Sequence, residues 1–187
     1  MEAFVISTGI VALAEMGDKT QLLALLLAAR FKKPWPIVWG ILVATVLNHA
    51  LAGALGAWLT TVLAPQTLRW ILAASFIVMA VWMLIPDKLD VQAPKSASSL
   101  GVFGTTTALF FLAEMGDKTQ IATVMLAARF NAYVAVVMGT TLGMMLANAP
   151  VVWLGERVTR WMPLRAVRVA SALVFLALGV FALLQSG

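Results

Sequence analysis

The sequence predicts an all-α polytopic membrane protein, six transmembrane helices arranged as two inverted-topology three-helix repeats. Three observations lead there. The 187 residues are 62% hydrophobic and 11% charged, where soluble domains average about 45–50% and 25%. Apolar runs of about 20 residues, enough to cross a bilayer core, recur along the chain. The chain also repeats itself: Leu13-Ala-Glu-Met-Gly-Asp-Lys-Thr-Gln21 returns letter for letter as Leu112 to Gln120, an offset of 99 residues.

Phe4–Ala29 is the first expected span. It carries Glu2 rather than basic residues ahead of its apolar run, so it reads as a membrane helix and not as a cleaved signal. Pro36–Leu63 follows the basic loop Arg30-Phe-Lys32-Lys33-Pro34, and Leu68–Ile85 follows Ala64-Pro65-Gln66. Pro34, Pro36, Pro65 and Pro163 fall at span ends, where a missing backbone N–H costs least. Leu100–Ala128, Tyr133–Leu154 and Leu164–Leu184 complete the set, and only Pro150 lies inside a span. Residues 1–86 then form the first repeat and 100–187 the second. Residues 87–99, rich in Pro, Ser, Lys and Gln, form a cytoplasmic tether between them within one membrane domain.

The repeat extends well beyond the nonapeptide. Leu27-Ala-Ala-Arg-Phe31 returns as Leu126 to Phe130, and Gly40, Leu47, Gly56, Arg69 and Phe76 meet Gly139, Leu146, Gly155, Arg168 and Phe175. A unit with an odd number of spans must point its two copies in opposite directions, as in transporters built from inverted repeats. Loop charge sets the orientation. Arg30, Lys32, Lys33, Lys88, Lys95, Arg157, Arg160, Arg165 and Arg168 fall on one side, with Arg69 and Arg129 on the other. The positive-inside rule puts the first group in the cytoplasm and both termini outside.

Composition also excludes. The formal charge of +5 comes largely from cations at span ends, suited to lipid headgroups, so no nucleic-acid partner is expected. No cysteine is present, which removes disulfides and thiolate metal sites. Trp35, Trp39, Trp70, Trp153 and Trp161 sit near span ends as interface anchors. The ten methionines read as packing residues rather than a soft-metal site. Oligomeric state is not encoded in any feature of the chain.

The repeated nonapeptide places Glu15, Asp18, Glu114 and Asp117 inside apolar segments. An ionisable group there is expensive, and by default it marks a path for ions, protons or substrate. Phe4 to Glu15 covers about 16 Å of helix, roughly half of a 30 Å hydrocarbon core. Spacings of i, i+3 would put Glu15 with Asp18, and Glu114 with Asp117, on one helical face. Gly17 and Gly116 permit close approach or a local break. Thr20, Gln21, Thr119 and Gln120 supply neutral oxygens. A carboxylate, amide and hydroxyl set suits Mg²⁺, Ca²⁺ or Mn²⁺. Four carboxylates with Lys19 and Lys118 leave a site that one divalent ion or two protons would neutralise, so the two compete for the same oxygens. The lysines lie i+4 from Glu15 and Glu114, which suffices for pairing within each copy. Asn48, His49 and Asn148, mid-span, read as interhelical hydrogen-bonding groups or as support for the site. Gly139-x-x-x-Gly143 reads as close packing within the fold.

Paired Glu-x-Gly-Asp-Lys-Thr motifs in a six-helix inverted repeat resemble the Gdt-type family of divalent-cation/proton exchangers, which includes Golgi calcium/manganese transporters and bacterial manganese exporters. The resemblance covers both halves. It implies that Glu15, Gly17, Asp18, Lys19 and Thr20, with Glu114, Gly116, Asp117, Lys118 and Thr119, hold the motif positions, the acids binding the cation. It further implies an exporter of Mn²⁺ or Ca²⁺ in exchange for protons, neither an enzyme nor a holder of a resident cofactor. The short central linker and the lack of a longer leader point to the bacterial inner membrane. Two other readings use the same acids: a metal-dependent membrane enzyme and an organic-cation exporter. No cluster of nucleophile and phosphate-binding residues supports the first, and no aromatic cage beside Glu15 or Glu114 supports the second.

Overall fold

The computed structural model describes residues 1–86, 101–155 and 163–184. The expected tether and the cations Lys88, Lys95, Arg157 and Arg160 lie outside those residues, as does Trp161. Among the described residues every regular element is a helix. They are α1 (Glu2–Glu15), α2 (Lys19–Phe31), α3 (Pro34–Val62), α4 (Pro65–Met83), α5 (Gly101–Glu114), α6 (Lys118–Phe130), α7 (Tyr133–Leu154) and α8 (Leu164–Leu184).

Four of them, α3, α4, α7 and α8, are each long and apolar enough to cross a membrane. Their outer faces carry exposed Leu51, Leu55, Trp58, Leu173, Leu176 and Val180, a surface that hydrocarbon solvates and water does not. Pro34 and Pro65 start α3 and α4 at the first helical position, where the fixed φ is already helical. Pro150 lies within α7.

The first and fourth expected spans are not single helices. Each breaks in the middle of the repeated nonapeptide, at Met16-Gly17-Asp18 and at Met115-Gly116-Asp117. Gly17 and Gly116 take φ of +82° and +76°, a conformation that glycine adopts without steric cost. Asp18 and Asp117 then stand in extended conformation, φ/ψ of −81°/169° and −82°/169°, as N-caps of α2 and α6. The Gly17 N–H donates to Gln21 Oε1 at 2.9 Å, and the Gly116 N–H to Gln120 Oε1 at 2.7 Å. A glutamine one turn on thus satisfies the amide released at each break. At 13 or 14 residues, each half-helix is about 20 Å long and falls short of the core thickness alone.

Contacts fix how these pieces run. A Cβ on Gly139 would meet the Phe4 carbonyl and one on Gly143 the Thr8 carbonyl, while Gln21 reaches the Ala147 carbonyl. The α1–α2 pair therefore advances alongside α7 in one direction. In the same way Gly40 abuts Phe103 and Thr106, Asn48 reaches Phe111, and Gly56 abuts Val124 and Ala127, so α5–α6 advances alongside α3. Between α3 and α7 the direction reverses. Gly53 faces Tyr133 and Val137, whereas Trp35 packs edge-on against Trp153. Gly139 and Gly143 do serve close packing inside the fold.

Two apolar clusters flank the breaks. One joins α1, α4, α6, the start of α7 and α8 through Ile10, Phe76, Met79, Leu126, Val136 and Phe175. The other joins α2, the start of α3, α5 and the end of α7 through Leu23, Leu27, Ile41, Phe110 and Val152. The acids of the nonapeptides lie at the helix ends between them.

Candidate functional site

Breaking the helix decides where each acid goes. Glu15 and Glu114 end α1 and α5, whereas Asp18 and Asp117 cap α2 and α6. A helix N-terminus favours the aspartates' negative charge, and a helix C-terminus opposes that of the glutamates. Carbonyl-rich half-helix ends beside carboxylates are a setting that attracts cations. The expected i, i+3 face within each copy is not formed, because the helix on which that spacing depends stops between the two acids.

Side-chain oxygens of Glu15, Glu114 and Asp117 all lie within 4.8 Å of one another, and all three residues are buried. Oxygens bound at 2.3–2.6 Å to one shared calcium-sized ion stand at most about 5 Å apart, so this spacing fits a common cation. Asp18 is buried too, 5% exposed, but stands outside the convergent three. Glu15 Oε2 accepts from Thr20 Oγ1 at 2.6 Å and from Asn148 Nδ2 at 3.5 Å, and Glu114 Oε2 accepts from Thr119 Oγ1 at 3.0 Å. The other oxygen of each glutamate, with Oδ2 of Asp117, is buried without a hydrogen bond among the described residues. A buried carboxylate oxygen is normally paired or bound to a metal, and here such oxygens come from acids of both nonapeptides.

The lysines differ from the expectation and from each other. Lys19 Nζ pairs with Asp117 Oδ1 at 2.9 Å, an acid of the opposite repeat. Pairing with Glu15 through an i+4 register is lost because the helix does not continue between them. Lys118 Nζ instead donates to the Ile85 carbonyl at 3.1 Å and lies 5.9 Å from the centre of the Trp82 ring.

Around this core, Gln21 Nε2 donates to the Ala147 carbonyl at 2.9 Å. Asn48 Nδ2 donates to the Phe111 carbonyl at 3.1 Å, while its Oδ1 accepts from Gln120 Nε2 at 3.4 Å. Both glutamines are therefore occupied in holding breaks and neighbouring helices together. Asn148 also donates to the Met144 carbonyl and lies 2.9 Å from the Met144 sulfur. His49 is fully buried, with neither ring nitrogen hydrogen-bonded among the described residues, and it is not one of the convergent ligands. Sequence reasoning missed Ile85, Trp82 and Leu164, which lies over Gly17. A carbonyl leaves no trace in side-chain pattern, and the other two sit in distant spans.

Apolar helices closed around carboxylates that share a cation-sized gap make a membrane transporter of divalent cations. The chain belongs to the GDT1 family of divalent cation/proton antiporters, whose model matches residues 3–91 and 102–187. It is 50% identical to the "Putative manganese exporter" of Vibrio cholerae, over 96% of this chain and 90% of that protein. It is 28% identical to the GDT1-like protein sll0615 of Synechocystis, over 94% and 93% of the two chains. A GDT1-like protein 4 of Oryza sativa subsp. indica is 29% identical, over 76% of this chain and 59% of the rice protein. No solved structure matches.

Proposed function

We propose that this protein exports a divalent cation, Mn²⁺ in preference to Ca²⁺, from the bacterial cytoplasm across the inner membrane in exchange for protons. The observation that carries this reading is the convergence of Glu15, Glu114 and Asp117 from both repeats on one buried spot. The Vibrio relative's name favours manganese. Metal binds the deprotonated acids, and protons return when it leaves, so the two exchange at the same oxygens. Glu15, Asp18, Glu114 and Asp117 with Gln21 and Gln120 form the binding region in this reading. Gly17, Thr20, Gly116, Thr119, Asn48, His49 and Asn148 shape it, and Lys19 and Lys118 offset its charge.

Residues 1–86 and 100–187 act as two three-helix repeats of opposite orientation, with α1–α2 and α5–α6 each crossing once as a broken span. The parallel run of α1–α2 with α7, and of α5–α6 with α3, supports that inversion because α3 and α7 oppose each other. Both termini lie in the periplasm. The apolar cluster that ties α4 and α8 to α1 and α6 seals one side of the acids. Exchange of the repeats' roles would move α4 and α8 onto α5 and α2 and seal the other.

Purified protein in liposomes tests the function directly. An outward Mn²⁺ gradient should drive proton entry, and Ca²⁺ and Mg²⁺ should do so more weakly. Proton flux that ignores all three metals would overturn the proposal.

A further inference from the structure

Resting on the cation-exchange reading above, we propose that the Lys19 ammonium is a tethered counter-ion that the transported cation displaces from Asp117. Lys19 thereby sets how tightly cargo is held and how readily it leaves. The two motif lysines occupy equivalent positions of an identical nonapeptide, yet their surroundings differ. Lys19 Nζ sits 2.9 Å from Asp117 Oδ1, directly on one of the three convergent acids. The Lys19 side chain is 26% exposed while that of Asp117 is 3% exposed. Lys118 is buried, tied to the Ile85 carbonyl and lying near the Trp82 ring.

These differences decide which lysine can give way. A divalent ion bound by Glu15, Glu114 and Asp117 would repel an ammonium within about 3 Å of the same carboxylate, and in a site shielded from water that repulsion is strong. A lysine whose side chain is already partly exposed can swing its head away along the apolar surface. Lys19 meets that condition. Lys118 would have to break a carbonyl hydrogen bond and leave an aromatic face, so it remains as fixed charge. Lys19 and Asp117 also come from opposite repeats, so their salt link joins the two, and a metal held by Glu15, Glu114 and Asp117 would join them in its place. The site is never left with its acids facing one another uncompensated, a situation costly at low dielectric.

Two measurements on the whole protein test this. In the unaltered protein, Mn²⁺ should raise the rate at which a small membrane-permeant amine reagent labels Lys19, read by mass spectrometry. Unchanged or reduced labelling would overturn the proposal. In variants, Lys19→Met should tighten Mn²⁺ binding by roughly 5- to 150-fold, the usual span of a coupling between two sites. Its maximal export rate should fall because cargo leaves slowly, so KM and turnover drop together. Lys19→Arg should stay near the original on both counts, and Lys118→Met should tighten binding far less than Lys19→Met. A folded Lys19→Met protein that binds Mn²⁺ no better than the original overturns the counter-ion role while leaving cation exchange standing. Failure of the unaltered protein to bind Mn²⁺ overturns both.

Discussion

Replacing each break glycine with alanine tests the feature that positions the acids. Gly116 has φ of +76° and open space where a Cβ would go. Alanine there bears only the cost of a left-handed backbone, about 1–2 kcal/mol, partly offset by a stiffer unfolded chain worth about 0.4–1 kcal/mol. The net loss is about 1 kcal/mol, or about 2–4 °C in Tm for a chain of this size. Gly17 has φ of +82°, and a Cβ there would sit 2.5 Å from the Leu164 Cδ2 methyl. That methyl is the tip of a leucine side chain that is 36% exposed and free to turn away, so Gly17→Ala should lower Tm by about as much as Gly116→Ala. Thermal unfolding of the two detergent-solubilised variants gives the comparison. Were the nonapeptides within unbroken helices, alanine would instead stabilise by about 1 kcal/mol at each position. A rise in Tm for both variants would refute the broken-helix account.

Much of this architecture was legible in the chain. Tyr133–Leu154 and Leu164–Leu184 emerge with the expected limits, because Asn131, Gly155 and Pro163 punctuate strong apolar runs. The doubled nonapeptide located the acids, and Gly17 and Gly116 were recognised as places where a helix could break. What the sequence left open was whether it did. Periodicity runs smoothly through Glu15 and Lys19, so i, i+3 and i+4 neighbours follow if the helix continues, and one glycine in positive φ in each copy cancels them. The Lys19–Asp117 pair was beyond reach for another reason: it joins side chains 98 positions apart, and only the packing of one repeat on the other brings them together. Asn48 and Asn148 illustrate the middle ground. Their mid-span amides announced hydrogen bonds, but the partners, the Phe111 carbonyl and Glu15, are tertiary facts.

Other outcomes follow from the same geometry. Asp117→Asn should abolish Mn²⁺ binding measured by equilibrium titration, whereas Asp18→Asn, outside the convergent three, should weaken it less; equal losses would contradict the three-acid arrangement. A protein carrying Gly9→Cys and Ala177→Cys, residues lining one cleft between α1 and α8, should lose export when a short thiol-reactive bridge joins them. Since the chain has no cysteine of its own, the bridge is unambiguous, and full export by the bridged protein would contradict movement of α8 against α1.

Proton release on metal binding probes the shared-oxygen exchange itself. Mn²⁺ added to purified protein in weakly buffered solution should liberate protons in fixed ratio to the metal bound, and Glu15→Gln or Glu114→Gln should reduce that ratio. Tight Mn²⁺ binding with no proton released, in the original protein and in both variants alike, would contradict the account.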